Sequence, residues 1–116
     1  MNPEPGDIVY CRFPCDEGHR IPHYGLVVSV ENSATRTTII RVAYGTSQKV
    51  SPSGHLPSEF VVADSSEMRR AGLLKPTRFD MHRVVKLGMA DIVEIRGSLD
   101  LTDGRILSRL RRACKL

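Results

Sequence analysis

The stretch HRIPHYGLVVSV, His19 to Val30, sets two histidines and an arginine at the entrance to an apolar run. Imidazole changes charge near neutral pH and can exchange a proton, whereas a guanidinium is planar and permanently charged, suited to gripping phosphate. Such a cluster is either a reactive site mounted on a strand or the polar rim of a folded core. As loop residues, His19, Arg20 and His23 would merely be exposed.

Two tyrosines stand near chemistry-bearing residues, Tyr24 beside the cluster and Tyr44 at the end of a later apolar run. A tyrosine ring can stack on an unpaired base, and it can equally pack a rim with its hydroxyl in water. His55 lies in a loop rich in Ser, Gly and Pro, and His82 in an expected strand, where it faces solvent. Cys11 and Cys15 are spaced C-x3-C, with no further Cys or His pair to complete a zinc site. With Cys114 they are expected to be reduced packing cysteines, so neither a structural metal nor a disulfide framework is anticipated.

Short apolar runs separated by turn residues must position these groups. GDIVYCRF alternates Ile8, Tyr10 and Arg12 against Val9, Cys11 and Phe13, and Pro14 ends it. YGLVVSV is apolar on both faces, as expected of a more fully buried strand. TTIIRVAY and EFVVA continue the series, GTSQKVSPSGHLP between them is loop, and FDMHRVVKLG and DIVEIRG supply a last pair. SSEMRRAG is expected to form a helical turn, capped by Ser65 or Ser66 and ended by Gly72.

At the carboxyl end the period changes. Ile106, Leu107, Leu110, Ala113 and Cys114 make one helical stripe, with Thr102 as N-cap, Asp103 at the positive end and Leu101 stapled onto Ile106. Five or six strands and one terminal helix imply a mainly β fold, a small, strongly curved barrel with the helix on its flank.

The 116 residues carry a net charge of +4, a length that fits one domain, residues 1–116. The last twelve, RILSRLRRACKL, hold four arginines and a lysine and no acid, leaving the remainder nearly neutral. That basic end suits an anionic partner, nucleic acid or an acidic segment, and equally a solvated helix face. No stretch nears the roughly 20 apolar residues of a membrane span, and MNPEPGD has no signal-peptide character. A cytoplasmic location is expected.

GDIVYCRF, HYGLVVSV, VAYGTSQK, AGLLKPTRFDMHRVVKLG and RGSLDLTDGRILSRLRRACKL together resemble, in order, segments of the PemK/MazF family of toxin–antitoxin ribonucleases. The resemblance covers nearly the whole chain. It implies an SH3-like β-barrel, a homodimer, no cofactor, and metal-independent cleavage of single-stranded RNA such as mRNA. It also implies a cognate antitoxin protein that lies across the active groove. The ribose 2′-hydroxyl would attack, leaving a 2′,3′-cyclic phosphate and a 5′-hydroxyl. That reaction needs a group to take the 2′ proton, one to protonate the leaving oxygen, and donors for the charged phosphorane.

By the same resemblance, Thr46 matches a loop threonine that contacts the scissile phosphate, and Gln48 the accompanying amide. Lys75 stands where some members carry an arginine, although a lysine before Pro76 can simply be solvated. His23-Tyr24 replaces the family's usual Arg-Pro. Either His23 takes over as general acid or base, with Arg20 swinging in to restore charge, or the site is weakened. The expected catalytic set is therefore His23, Thr46 and Arg20, and the RNA-binding set His19, Tyr24, Gln48 and Lys75. The competing function is a non-catalytic barrel that binds a peptide or nucleic acid. Direct DNA binding by the terminal helix ranks last, since nothing resembles a helix-turn-helix before it.

Overall fold

Alternation sends Ile8 and Tyr10 to one side of the first strand and Val9 and Cys11 to the other, and β1 runs from Asp7 to Arg12. A computed structural model describes residues 2–14, 22–50 and 56–114. Its other strands are β2 (Pro22–Asn32), β3 (Thr38–Thr46), β4 (Glu59–Val62), β5 (Thr77–Leu87) and β6 (Ile92–Ser98). Helix α1 (Ser65–Ala71) joins β4 to β5, a 3-10 turn (Met89–Asp91) joins β5 to β6, and α2 (Gly104–Cys114) follows. Among the described residues no helix is long and apolar enough to cross a membrane.

All pairings are antiparallel, and the strand order is β4-β5-β3-β2-β1-β6. The sheet is not closed, which corrects the expected barrel. Helices, rather than ladder hydrogen bonds, occupy the space beside the two end strands. The end of α1 lies against β6 so tightly that a Cβ on Gly97 would sit 2.3 Å from the Arg70 carbonyl oxygen. Gly72, at φ 70°, closes α1 in the left-handed region and meets the Arg96 backbone. At the other end, α2 packs on β4.

Both faces of the sheet are buried. One carries Ile8, Leu26, Ala43, Phe60, Phe79 and Met81, covered by Ile106 and Ala113 of α2. The other carries Val9, Cys11, Phe13, Val27, Ile40, Val42, Leu87 and Ile92. Burying each large side chain contributes about 1.5–3 kcal/mol, so strands apolar on both sides are what this arrangement requires.

Two caps differ from expectation by one or two residues. Asp64, not Ser65 or Ser66, caps α1, its carboxylate accepting from the backbone N–H groups of Ser66 and Glu67 at 3.1 Å. Asp103, not Thr102, does so for α2, accepting from the Arg105 N–H at 2.9 Å. Thr102 is held instead by Asp100. A carboxylate satisfies orphan amides and complements the helix dipole at once, which a hydroxyl does only in part.

The β3–β5 ladder contains one irregularity that shapes the site. Consecutive residues Ala43 and Tyr44 face Val84 and Asp80, so Met81, His82 and Arg83 have no partner on β3. An odd number of unpaired residues reverses which face each side chain takes. Phe79 and Met81 therefore belong to the helix-covered cluster, while Val85 and Leu87 join the opposite one.

Candidate functional site

His23 is the second residue of β2, and Tyr44 and Thr46 lie at the end of β3, so neighbouring antiparallel strands deliver them to the same end of the sheet. Gly25 pairs with Tyr44, two residues along β2 from His23 and two residues along β3 from Thr46. The imidazole and the Tyr44 phenol share one face, their ring centroids 5.1 Å apart, with a long Tyr44 Oη to His23 Nδ1 contact of 3.5 Å. Phe13 backs both, its ring 5.1 Å from Tyr44 and 6.5 Å from His23, both edge-on. That seat exists because position 25 is glycine. A Cβ there would lie 2.3 Å from Val42 Cγ1 and 3.2 Å from the Phe13 ring.

Arg83 completes the cluster. Its Cζ lies 4.1 Å from the Tyr44 ring centroid, close enough for cation–π attraction. Partial burial, then the positive charge of Arg83, lower the His23 pKa from its ordinary 6.5. The imidazole is accordingly neutral near pH 7, a form that can accept a proton.

Thr46 is half-buried and opens a tight turn in which its Oγ1 accepts the Gln48 N–H at 3.1 Å. Lys49 follows at φ 53°. Because an oxygen lone pair takes that bond, the hydroxyl proton of Thr46 remains able to donate elsewhere. Gln48 is exposed, and its carbonyl accepts from Arg78 Nε at 3.0 Å. Arg78 pairs with Thr46 across the β3–β5 ladder and forms an ion pair with the buried Glu59. The turn carrying Thr46 is thus fixed from beneath.

Tyr24 does not join His23. Successive strand residues point to opposite faces, and Tyr24 lies against Tyr10 at 5.4 Å on the helix-covered side, with Arg96 6.0 Å from its ring. The aromatic neighbour of His23 is Tyr44. Lys75 is exposed, two residues ahead of β5, and its carbonyl accepts from the Thr77 hydroxyl. His19, Arg20, Cys15 and His55 lie outside the described residues. His82 is exposed.

Sequence reasoning missed Arg83 and Arg78. A signal for the first was present: Phe79, Met81, Val85 and Leu87 keep an apolar period of two that Arg83 interrupts. A charged residue in an apolar phase marks either a phase slip or a functional break. Arg78 carried no such mark, because its partners come from β4 and from the turn after β3.

No protein-family model matches the chain, and no curated protein sequence does. Solved structures do match. The chain is similar to the Mycobacterium tuberculosis toxin MazF-mt6 at 18% identity, with 93% of this chain and 91% of that one covered and a TM-score of 0.66. An endoribonuclease solved in complex with its cognate antitoxin, from a mycobacterial species, matches at 14% identity, 97% and 91% coverage and a TM-score of 0.64. A further mycobacterial endoribonuclease matches at 17% identity, 98% and 89% coverage, also at a TM-score of 0.64. The chain has the MazF-like fold.

Proposed function

We propose that this chain is an endoribonuclease toxin of a type II toxin–antitoxin system, cleaving single-stranded RNA such as mRNA without a metal. The observation that carries the reading is the His23 imidazole, its pKa lowered, set beside the Tyr44 phenol with the Arg83 guanidinium over that ring, and with Thr46 two residues further along β3. It stands on a fold that the chain has in common with a toxin and two endoribonucleases. Residues 1–116 act as one domain in this reading, in the cytoplasm, as a homodimer. The endoribonuclease solved with its antitoxin supports an antitoxin protein as partner.

In the proposed reaction His23 Nδ1–H donates to Tyr44 Oη, which leaves the Nε2 lone pair open. Nε2 takes the proton of the ribose 2′-hydroxyl as the 2′ oxygen attacks phosphorus. The bond to the 5′ oxygen breaks, giving a 2′,3′-cyclic phosphate. The 5′ oxygen leaves as a hydroxyl, its proton returned from the imidazolium directly or through water. The Thr46 hydroxyl donates to the phosphorane oxygens, where charge builds up.

Purified protein incubated with long single-stranded RNA in EDTA is expected to give fragments with cyclic-phosphate ends. His23→Ala is expected to slow cleavage by about 10²–10⁴-fold. Absence of such fragments, together with tight RNA or peptide binding and no growth arrest on expression, would favour a binding module instead.

A further inference from the structure

We propose that Arg83, turned by the β5 bulge onto the Tyr44 ring beside His23, is the residue that grips the substrate phosphate and supplies the charge an imidazole at position 23 lacks. The proposal rests on the endoribonuclease reading for its substrate, a single-stranded phosphodiester, but its geometry stands by itself.

Three observations carry it. The first is the phase slip. Met81 and Arg83 share odd-numbered phase with Phe79, and an unbroken β5 would turn Arg83 toward the helix-covered core. Three unpaired residues, Met81 to Arg83, reverse the phase and bring the guanidinium to the face of His23 and Tyr44. Bulges of this kind re-aim a side chain, and here the side chain re-aimed is a cation.

The second is how Arg83 is held. Arg41, Arg78, Arg96, Arg105 and Arg109 each form an ion pair with a carboxylate. Arg83 forms none among the described residues, yet it is laid on an aromatic ring at 4.1 Å. Stacking orders the guanidinium while leaving its charge unneutralised and its in-plane N–H donors available to an anion.

The third is the division of labour. His23 lies 5.1 Å from the same Tyr44 ring, so one phenol organises a proton acceptor and a fixed cation. Anion gripping and proton exchange, which a single arginine cannot both perform near neutral pH, fall to two residues.

The test separates binding from cleavage. A single-stranded oligodeoxynucleotide, which lacks the 2′-hydroxyl and cannot be cut, is titrated by fluorescence anisotropy at several salt concentrations. Arg83→Ala is expected to weaken binding by about tenfold, the worth of one charge-assisted hydrogen-bonded contact. It is also expected to lower the slope of log affinity against log salt by about 0.7, one phosphate contact on a single strand. Arg83→Lys should fall between, keeping charge but losing the planar stack. Arg69→Ala, on the exposed face of α1, removes the same charge elsewhere and should change affinity less than twofold, a margin taken as roughly the scatter of surface substitutions.

Equal affinity and salt slope for Arg83→Ala and wild type overturn the proposal, as does an equal loss in Arg69→Ala, which marks a net-charge effect. If the wild type cuts no RNA but binds the oligodeoxynucleotide in an Arg83-dependent way, the nuclease reading fails and Arg83 as phosphate holder stands. Thermal melts of each variant exclude unfolding as the cause.

Discussion

Glu59 of β4 and Arg78 of β5 form an ion pair whose carboxylate is almost sealed from water, at 5% side-chain exposure against 27% for the arginine. The second Glu59 oxygen accepts the Leu56 N–H at 2.9 Å, and Arg78 passes its Nε to the Gln48 carbonyl. Through this pair the edge strand of the sheet holds the turn that carries Thr46.

Arg78→Ala takes a charged partner from a carboxylate nearly sealed from water and is expected to cost about 2–4 kcal/mol in urea denaturation. Glu59→Gln, which keeps the shape and an acceptor for Leu56, should cost less. The turn is expected to loosen in Arg78→Ala, read as faster amide exchange at Gln48. Unchanged stability and unchanged exchange would mean that the pair does not support the turn.

The pH dependence of cleavage should report His23. Facing it are the Tyr44 phenol from β3 and the Arg83 guanidinium from β5, while Cys11 of β1 meets its backbone carbonyl. Its pKa is lowered in the fold, so kcat/KM should rise through an inflection below 6.5 and hold level above it. Arg83→Ala removes a like charge and should move that inflection upward. The stability sign follows from proton counts: between the folded and unfolded pKa values the unfolded chain binds more protons. This contribution is therefore full above about 6.5 and is lost as pH falls through the folded value. An inflection above 6.5, or one unmoved in Arg83→Ala, would contradict the assignment.

Cys11 should be chemically silent. Burial, reinforced by the negative charge of Asp91, pushes its thiol up to about 12, and the reactive species is the thiolate. Cys114 is exposed. Native protein treated with iodoacetamide at pH 8 is expected to label at Cys114 and not at Cys11, as read by peptide mass. Comparable labelling at Cys11 would show that the face beneath His23 opens readily.

Arg109 tests what the basic end is for. It pairs with Glu67 of α1 at 2.7 Å, donates to the Val61 carbonyl at 2.6 Å and lies 4.6 Å from the Phe60 ring. Arg109→Ala is expected to destabilise the fold by about 1–3 kcal/mol while leaving oligodeoxynucleotide affinity within a factor of about two, a structural role rather than a phosphate contact. A stability change near zero with a clear loss of affinity would reverse that assignment.

Much of the architecture is legible along the chain because strand and helix impose different apolar periods. GDIVYCRF, TTIIRVAY and the Ile106–Ala113 stripe announce their elements locally, and each forms close to where its pattern lies. His23 stands out by residue type, whereas Thr46 and Gln48 stand out only through the resemblance to the PemK/MazF family. What local pattern cannot hold is which edges meet. The open sheet depends on α1 lying against Gly97, and the support of Thr46 depends on Arg78 and Glu59 from strands far off in sequence. Tyr24 and Tyr44 could not be told apart as partners of His23 by proximity in the chain, since neighbours on one strand face opposite ways. Arg83 needed the bulge. Composition and periodicity thus determined the elements, because they act over a few residues, and the family resemblance supplied most of the candidate residues. Only tertiary structure decided which side chains share a face, because pairing register and phase slip are set between strands and not within one.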